Sequence, residues 1–453
     1  MKRNALNDLM SWNSNAKRKP LIVWGARQVG KTYLVRNLFA ESVYKESYIY
    51  IDCKIEDEIR RFCEKTANPA KIIEYISLSK GRKINENTLL IFDEVQECPN
   101  IVSSLKYFCQ DFREIPVIAT GSMVRIKIQR ESNKRGASDG DKFLFPVGKI
   151  NQITVYPMTF DEFLLNANET LYGYVKKAYE EKKSLESDIH NMAMEYVYKY
   201  LLVGGMPEAA EAYIDTGDFI ESREILKELY DNYLADMELY QASPESVIRS
   251  RALFSNIYSE LNKENKNFTP GLIEEHSRTR DYLTSIQWLT AAHIVNCSFQ
   301  LKEHITMPLI RDETGGFRLF LADIGMFSYQ SGINSASFIS NEREKTLSGI
   351  FFENFAANEL TAKGHKLFYW RSKTTAELEF IVESDNKLYP IDVKKGKRAL
   401  NSLAKFSNGN SFEFAVKVSK NNYGYNAENK IMTVPFYFLP FVAEDLAKGK
   451  LTV

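Results

Sequence analysis

Leu21-Ile22-Val23-Trp24-Gly25-Ala26-Arg27-Gln28-Val29-Gly30-Lys31-Thr32 decides how this chain is read. Four apolar residues run into a loop with the spacing G-x-x-x-x-G-K-[ST], in which glycines let successive backbone N–H groups turn inward around a polyphosphate. Gly25, Ala26, Arg27, Gln28, Val29, Gly30, Lys31 and Thr32 are therefore the expected phosphate-binding residues. Lys31 is expected to reach the β- and γ-phosphates. Thr32 would open a helix whose positive end faces the phosphates, its hydroxyl helping to hold Mg²⁺. Both flanks agree, with a β-rich run before the loop and Tyr33, Leu34, Val35, Leu38 and Phe39 at helical spacing after it. The competing reading, a glycine turn beside a surface lysine, accounts for neither flank.

Downstream the chain adds strands of the right kind. Ser47 to Cys53 is β-branched and aromatic, and Thr88 to Glu94 (TLLIFDE) is a continuous apolar run ending in two acids. Such a run fits a strand buried on both faces of a parallel sheet, with its acids at the carboxyl edge where open α/β sheets bind ligands. Asp93 is expected to bind Mg²⁺ and Glu94 to polarise the attacking water. Ile115 to Ser122 (IPVIATGS) repeats the design with hydroxyls, so Thr120 or Ser122 would lie near the γ-phosphate.

These segments, GARQVGKT, LLIFDEVQECP and VIATGSM, followed by VYPMTFDEFL and YLLVGGMPEAA, resemble a family of prokaryotic AAA+-type ATPases with a C-terminal domain of unknown function. The resemblance covers most of the chain and implies ATP and Mg²⁺ as cofactors. That family carries a Gly-Arg pair before the VYPMTFDEFL segment, where this chain has Gly148-Lys149. An arginine finger is planar and bidentate and a lysine is a point charge, so the resemblance does not carry a finger over to Lys149.

Composition bounds the rest. Of 453 residues, 59 are Lys or Arg and 59 are Asp or Glu, so no global field draws in DNA or an anionic membrane. A nucleic-acid surface must be local. Five cysteines without a C-x-x-C fit reduced thiols, and the apolar Thr433 to Val442 stretch, broken by two prolines, is too short to span a bilayer. A cytoplasmic protein without membrane contact is expected, possible homo-oligomer contacts included. Between Arg125 and Lys142 six basic residues face three acids among Ser, Gly and Asn, which reads as a basic loop.

Leu171 to Tyr200 and Phe219 to Tyr240 read as helices of a lid, separated by Gly204-Gly205-Met206-Pro207. Phe268 to Pro308 has the order helix, turn, helix, ribbon, with Tyr282, Leu283, Ile286 and Leu289 as a buried stripe and Ile294 to Leu301 and Phe317 to Leu321 as wing strands. Arg278 and Arg280 could then touch nucleic acid, so residues 268–300 are one candidate contact. Acids Glu274, Glu275 and Asp281 dilute that charge and leave a protein-packing role equally open.

Gly349 to Leu360 is expected as an amphipathic helix carrying Glu353. In AELEFIVESDNKLYPIDVK, residues 376–394, Asp385-Asn386 predicts a two-residue hairpin turn that places Glu379 opposite Asp392 and Glu377 opposite Lys394. Leu378, Phe380, Val382, Tyr389, Ile391 and Val393 belong on the core face. Two facing carboxylates repel unless a cation lies between them, and a divalent metal with Lys394 beside it would resolve this. The arrangement resembles the PD-(D/E)XK nuclease motif with Glu353 as helix acid, although Glu379 stands where Asp is usual and Asp392 where Glu is. The alternative is a Glu377–Lys394 ion pair on an exposed ribbon. Residues 363–398 carry nine basic and five acidic residues with Tyr369 and Trp370 among them, the strongest local nucleic-acid patch.

The expected fold is thus an α/β multidomain chain. A P-loop NTPase with a parallel sheet occupies 1–160, a helical lid 161–240, a winged helix 241–340, and a restriction-endonuclease-like α/β domain 341–453. The expected function is ATP binding and hydrolysis coupled to a nucleic-acid- or protein-binding C-terminal half. Two alternatives stand beside it: a nucleotide-switched binding module, and an ATP-gated metal-dependent nuclease.

Overall fold

The computed structural model describes residues 1–122, 146–241, 243–333, 347–372, 376–393 and 400–453; the basic 125–142 stretch and Lys394 lie outside the described residues. The chain forms two compact units. One comprises Arg3–Tyr156 with Ala291–His293, the other Met1–Lys2, Pro157–Thr290 and Ile294–Val453.

The first unit runs α1 (Ala5–Ser14), β1 (Leu21–Trp24), α2 (Tyr33–Ala40), β2 (Tyr48–Asp52), α3 (Asp57–Cys63), α4 (Pro69–Lys80), β3 (Leu89–Asp93), α5 (Pro99–Asp111), β4 (Val117–Thr120) and β5 (Asn151–Thr154). Its strands are all parallel, in the order β2-β3-β4-β1-β5. Every residue of β1, β3 and β4 is buried, which is why these strands read as unbroken apolar runs rather than alternating ones. Ile22, Leu90, Phe92 and Val117 pack against Ile72, Ile76, Leu105 and Phe108 of the helices. Because β4 lies between β3 and β1, the carboxyl ends at Trp24, Asp93 and Thr120 share one edge of the sheet, where ligands bind in such folds.

In the second unit, α6 (Phe160–Ala167), α7 (Glu169–Glu180), α8 (Ser187–Val203), α9 (Pro207–Thr216) and α10 (Phe219–Tyr240) make the stretch expected as a lid helical. The run from Leu171 to Tyr200 is two helices, not one, interrupted where Lys182 takes a left-handed φ of 54°. Gly205 allows a close crossing. A Cβ there would lie 2.0 Å from the Met158 carbonyl oxygen, and the Met158 N–H donates to Gly205 O at 2.6 Å.

Then follow α11 (Pro244–Ser255), α12 (Ile257–Leu261), α13 (Thr279–Ala291), β6 (Val295–Gln300), β7 (Phe317–Leu321) and α14 (Ile324–Gln330). Here the helix-turn-helix expectation needs correction. Before α13 there is only a single helical turn, Pro270–Leu272, because Pro270-Gly271 supports no longer helix. The buried stripe of α13 is Tyr282, Ser285, Ile286, Trp288 and Leu289, while Leu283 is 48% exposed. β6 and β7 do form an antiparallel ribbon, but β6 also pairs in parallel with β8 (Leu367–Arg371), so the expected wing is built into the sheet β7-β6-β8-β9, with β9 at Glu377–Leu378. Alternation along a strand reports its faces and says nothing of what occupies its edges.

Helix α15 (Gly349–Ala362) is not amphipathic: every residue from Ile350 to Leu360 is buried. Its polar groups are each matched inside the core, as burial requires. Asn354 accepts from Leu321 N–H at 3.0 Å and donates to Leu321 O at 3.0 Å, Asn358 donates to the same carbonyl at 2.7 Å, and Glu359 accepts the Phe160 N–H at 2.9 Å.

β10 (Phe380–Ser384) and β11 (Lys387–Val393) pair from Phe380 opposite Ile391 to Ser384 opposite Lys387, the register that the turn predicts. Asp385 and Asn386 both take the left-handed φ such a turn needs, 49° and 56°. The six residues expected on the core face are buried, yet so are Ile381 and Leu388 opposite them, so the hairpin is internal and not an exposed ribbon. Glu379 sits at a bend between β9 and β10, and Glu377 pairs across to Arg371 of β8. α16 (Leu400–Ser407), β12 (Ala415–Ser419), β13 (Gly424–Asn426), β14 (Ile431–Pro435) and α17 (Leu439–Ala447) complete the unit, with strand order β10-β11-β12-β14-β13.

Candidate functional site

Where β1 ends, the backbone turns at Gly25 with φ 146°, and a Cβ there would lie 2.2 Å from the Val155 carbonyl oxygen, a position only glycine can hold. Gln28 and Gly30 also take positive φ, 61° and 87°, curling the loop back on itself, while Ala26 and Val29 anchor it in the core. Buried Arg3 donates to Val29 O at 3.1 Å and to Tyr156 O at 2.6 Å, clamping the loop to the chain that leaves β5. Nothing in the basic N-terminal segment marks Arg3 for this task, since its partners are backbone carbonyls far along the chain.

Lys31 lies inside the loop, only 7% exposed, its Nζ donating to Gly25 O at 3.1 Å and Ala26 O at 2.7 Å. Burial lowers its pKa to about 8, with Glu94 and then Asp93 pulling the other way. An ammonium held only by carbonyl dipoles in a dry loop is poised for an anion of higher charge.

Asp93 is the centre of the edge. Thr32 Oγ1 and the Tyr50 hydroxyl each donate to its Oδ2 at 2.7 Å, and its Oδ1 accepts the Glu94 N–H at 3.0 Å and the Thr120 hydroxyl. β2, β3, β4 and the start of α2 thus converge on one carboxylate. Burial, and after it the hydrogen bond to Asp93, pushes the Tyr50 phenol far above its usual range, and the Arg36 guanidinium lies 4.7 Å from the ring centroid. Tyr50 was not among the sequence-derived candidates; its place on β2, one strand from β3, is set by the sheet order. Glu94 takes a left-handed φ of 52° as the chain leaves β3, burial raises its carboxyl pKa, and the Gln96 side-chain amide donates to it. Ser122 is buried just past β4, and Lys149 is exposed on the approach to β5. The donor set fits Mg²⁺ with a nucleotide: Thr32 and Asp93 supply hard oxygens 2.7 Å apart, next to a cradle that a Cβ at Gly25 would fill.

The C-terminal candidates meet differently. Lys266 Nζ grips both oxygens of Glu353, at 2.5 and 2.7 Å. Burial raises the Glu353 carboxyl pKa; Lys266 opposes this and the nearby Glu379 adds to it. Glu379 accepts the Val393 N–H at 3.2 Å, and Asp392 is buried on β11. Glu377 is held at 2.7 Å by Arg318, not by the expected Lys394; burial acts to raise its carboxyl pKa, but the Arg318 charge outweighs it and the net direction is down. Arg318 is 1% exposed and lies 4.0 Å from the centroid of the Tyr369 ring. Among the described residues, no group of three or more His, Cys, Asp or Glu side chains is arranged to hold a metal ion. Tyr369 and Trp370 are core residues, their polar atoms donating to Asn267 at 2.7 Å and to Glu303 O at 2.9 Å, so neither can stack on a base. At the start of α13, Asp281 accepts the Arg278 N–H at 2.8 Å and lies 3.7 Å from Arg280, which tempers the positive charge there.

Residues 17–164 match a family described as an AAA domain, residues 194–337 a domain of unknown function (DUF8612), and residues 348–438 a domain of unknown function (DUF4143). No curated protein matches the chain. Among solved structures, the Walker-type ATPase PABY2304 of Pyrococcus abyssi is 14% identical with a TM-score of 0.41, the alignment covering 72% of this chain and 95% of that one. AMPPCP-bound DnaA from Aquifex aeolicus is 16% identical with a TM-score of 0.26, over 63% and 84% of the two chains. PCH-2 of C. elegans is 10% identical with a TM-score of 0.22, over 41% and 50%. Superpositions this loose transfer no function. No helix among the described residues is long and apolar enough to cross a membrane.

Proposed function

With residues 17–164 forming an ATP-hydrolysing AAA module, we propose that nucleotide state in this module sets the grip of residues 161–453 on a nucleic acid or a protein. The convergence of Thr32, Tyr50 and Thr120 on Asp93 beside the Lys31 loop is the observation that carries the reading. The loop N–H groups and Lys31 bind the triphosphate, Lys31 exchanging the Gly25 and Ala26 carbonyls for phosphate oxygens. Mg²⁺ held by Thr32 and Asp93 would offset phosphate charge. Glu94 orients the attacking water, and Thr120 and Ser122, at the tip of β4, respond to the presence of the γ-phosphate. ATP turnover measured in Lys31→Ala and Glu94→Gln tests this, and wild-type rates in both would reject it.

For the remaining chain, the boundaries 161–240, 241–340 and 341–453 and the restriction-endonuclease-like character of the last segment belong to the same proposal. The order α15, β8, β9–β10, β11, α16, β12, with acids on α15, at the β9–β10 bend and on β11, supports it. For a winged helix in 241–340, α13 and the β6–β7 ribbon speak in favour and the missing preceding helix against. A second reading, a switch of slow turnover, is favoured by Gln96 holding the Glu94 carboxylate, which must be released before it can orient water. Turnover measured with and without single-stranded DNA, duplex DNA and RNA separates the two.

A further inference from the structure

We propose that Lys266 and Arg318 are the resident cations of the buried acids Glu353, Glu377 and Glu379, standing where a nuclease holds a divalent metal, so that this half grips its partner without cleaving. The inference rests on the proposed nuclease-like character of residues 341–453 for what it says about cleavage; the pairing itself is geometry. A carboxylate taken out of water must be neutralised or paired. Glu353, with a side chain 7% exposed, is paired through both oxygens with Lys266, at 2.5 and 2.7 Å. Glu377 is paired at 2.7 Å with Arg318, whose guanidinium has the Tyr369 ring 4.0 Å away and is 1% exposed.

Both cations come from residues 194–337, while the acids lie within residues 348–438, so one family segment supplies the counter-charge for the next. An ammonium offers directed protons but no vacant orbitals. It cannot acidify a bound water or polarise a phosphodiester oxygen as a metal does. Nor can it yield its place cheaply, because withdrawing it strands a buried carboxylate.

The test uses the full chain without nucleotide and Mn²⁺ as the probe, with binding followed by electron paramagnetic resonance and by thermal denaturation. Wild type and Glu353→Gln are expected to bind the same number of Mn²⁺ ions, any uptake at the Thr32–Asp93 site being common to both. Lys266→Met is expected to bind one Mn²⁺ more than wild type and to gain thermal stability on its addition, and Lys266→Met/Glu353→Gln to lose both gains. More Mn²⁺ on wild type than on Glu353→Gln, Mn²⁺-dependent DNA nicking by wild type that Glu353→Gln lacks, or a folded Lys266→Met that gains no ion each overturn the proposal. The wild-type comparison decides even if Lys266→Met does not fold. DNA retention by wild type, read separately by mobility shift, tests the nucleic-acid reading and leaves this one untouched.

Discussion

Replacing Lys31 with Met should remove a pH dependence from the first unit, and its size follows from the loop geometry. Burial holds the folded pKa near about 8 against an ordinary 10.5, so the folded unit holds fewer protons than the unfolded chain between those values. Its stability therefore rises with pH through that window, and the cost of the buried ammonium is fully present below about pH 8. At about 1.36 kcal/mol per unit of pKa difference, that cost is about 3.4 kcal/mol, of which about 1.3 kcal/mol is recovered between about pH 7 and about pH 9. In a domain of this size the recovery corresponds to roughly 4 °C in Tm. Thermal unfolding of wild type and Lys31→Met, each at both pH values, isolates the term, since other groups cancel in the difference. Calorimetry supplies an independent reading: a non-hydrolysable ATP analogue places phosphate beside Lys31 and should drive uptake of nearly one proton at about pH 9, measured in buffers of differing ionisation heat. Parallel pH slopes for wild type and variant, with no proton uptake, would refute the placement of Lys31 in a desolvated loop.

Gly25→Ala should abolish nucleotide binding and destabilise the first unit by more than about 2 kcal/mol, because φ 146° disfavours any side chain and the added Cβ meets Val155 O at 2.2 Å; equilibrium denaturation reads this directly. Tyr50→Phe removes one of the donors on Asp93 and should cost about 1–2 kcal/mol of stability, with reduced turnover at saturating ATP. Arg318→Met leaves Glu377 without its guanidinium and should cost about 3–5 kcal/mol, most of it restored in Arg318→Met/Glu377→Leu, a cycle measurable by urea denaturation.

Much of the first unit could be read from the chain because its signals are local. A glycine-lysine loop after an apolar strand, and strands ending in Asp93-Glu94 or Thr120, each carry their chemistry within a few residues. The hairpin register at Asp385-Asn386 was legible for the same reason, since two adjacent left-handed residues fix the turn and the turn fixes the pairing. Strand edges and the far sides of helices were not legible. β6 reads as a wing because its sequence cannot announce a parallel partner in β8, and α15 reads as amphipathic because Asn354, Asn358 and Glu359 look solvent-seeking until their partners at Leu321 and Phe160 are known.

By itself, then, the sequence determined the phosphate loop, the acid-tipped strand and the internal hairpin, all features whose geometry is set by neighbours in the chain. Only the tertiary structure decided what meets them: Arg3 bracing the loop, Tyr50 on Asp93, Lys266 on Glu353 and Arg318 on Glu377. The physical reason is one of range. Backbone conformation is dictated within a few residues, whereas the partner that makes a buried charge tolerable can come from anywhere the fold brings close, from 26 residues away for Val29 and Arg3 to 87 for Lys266 and Glu353.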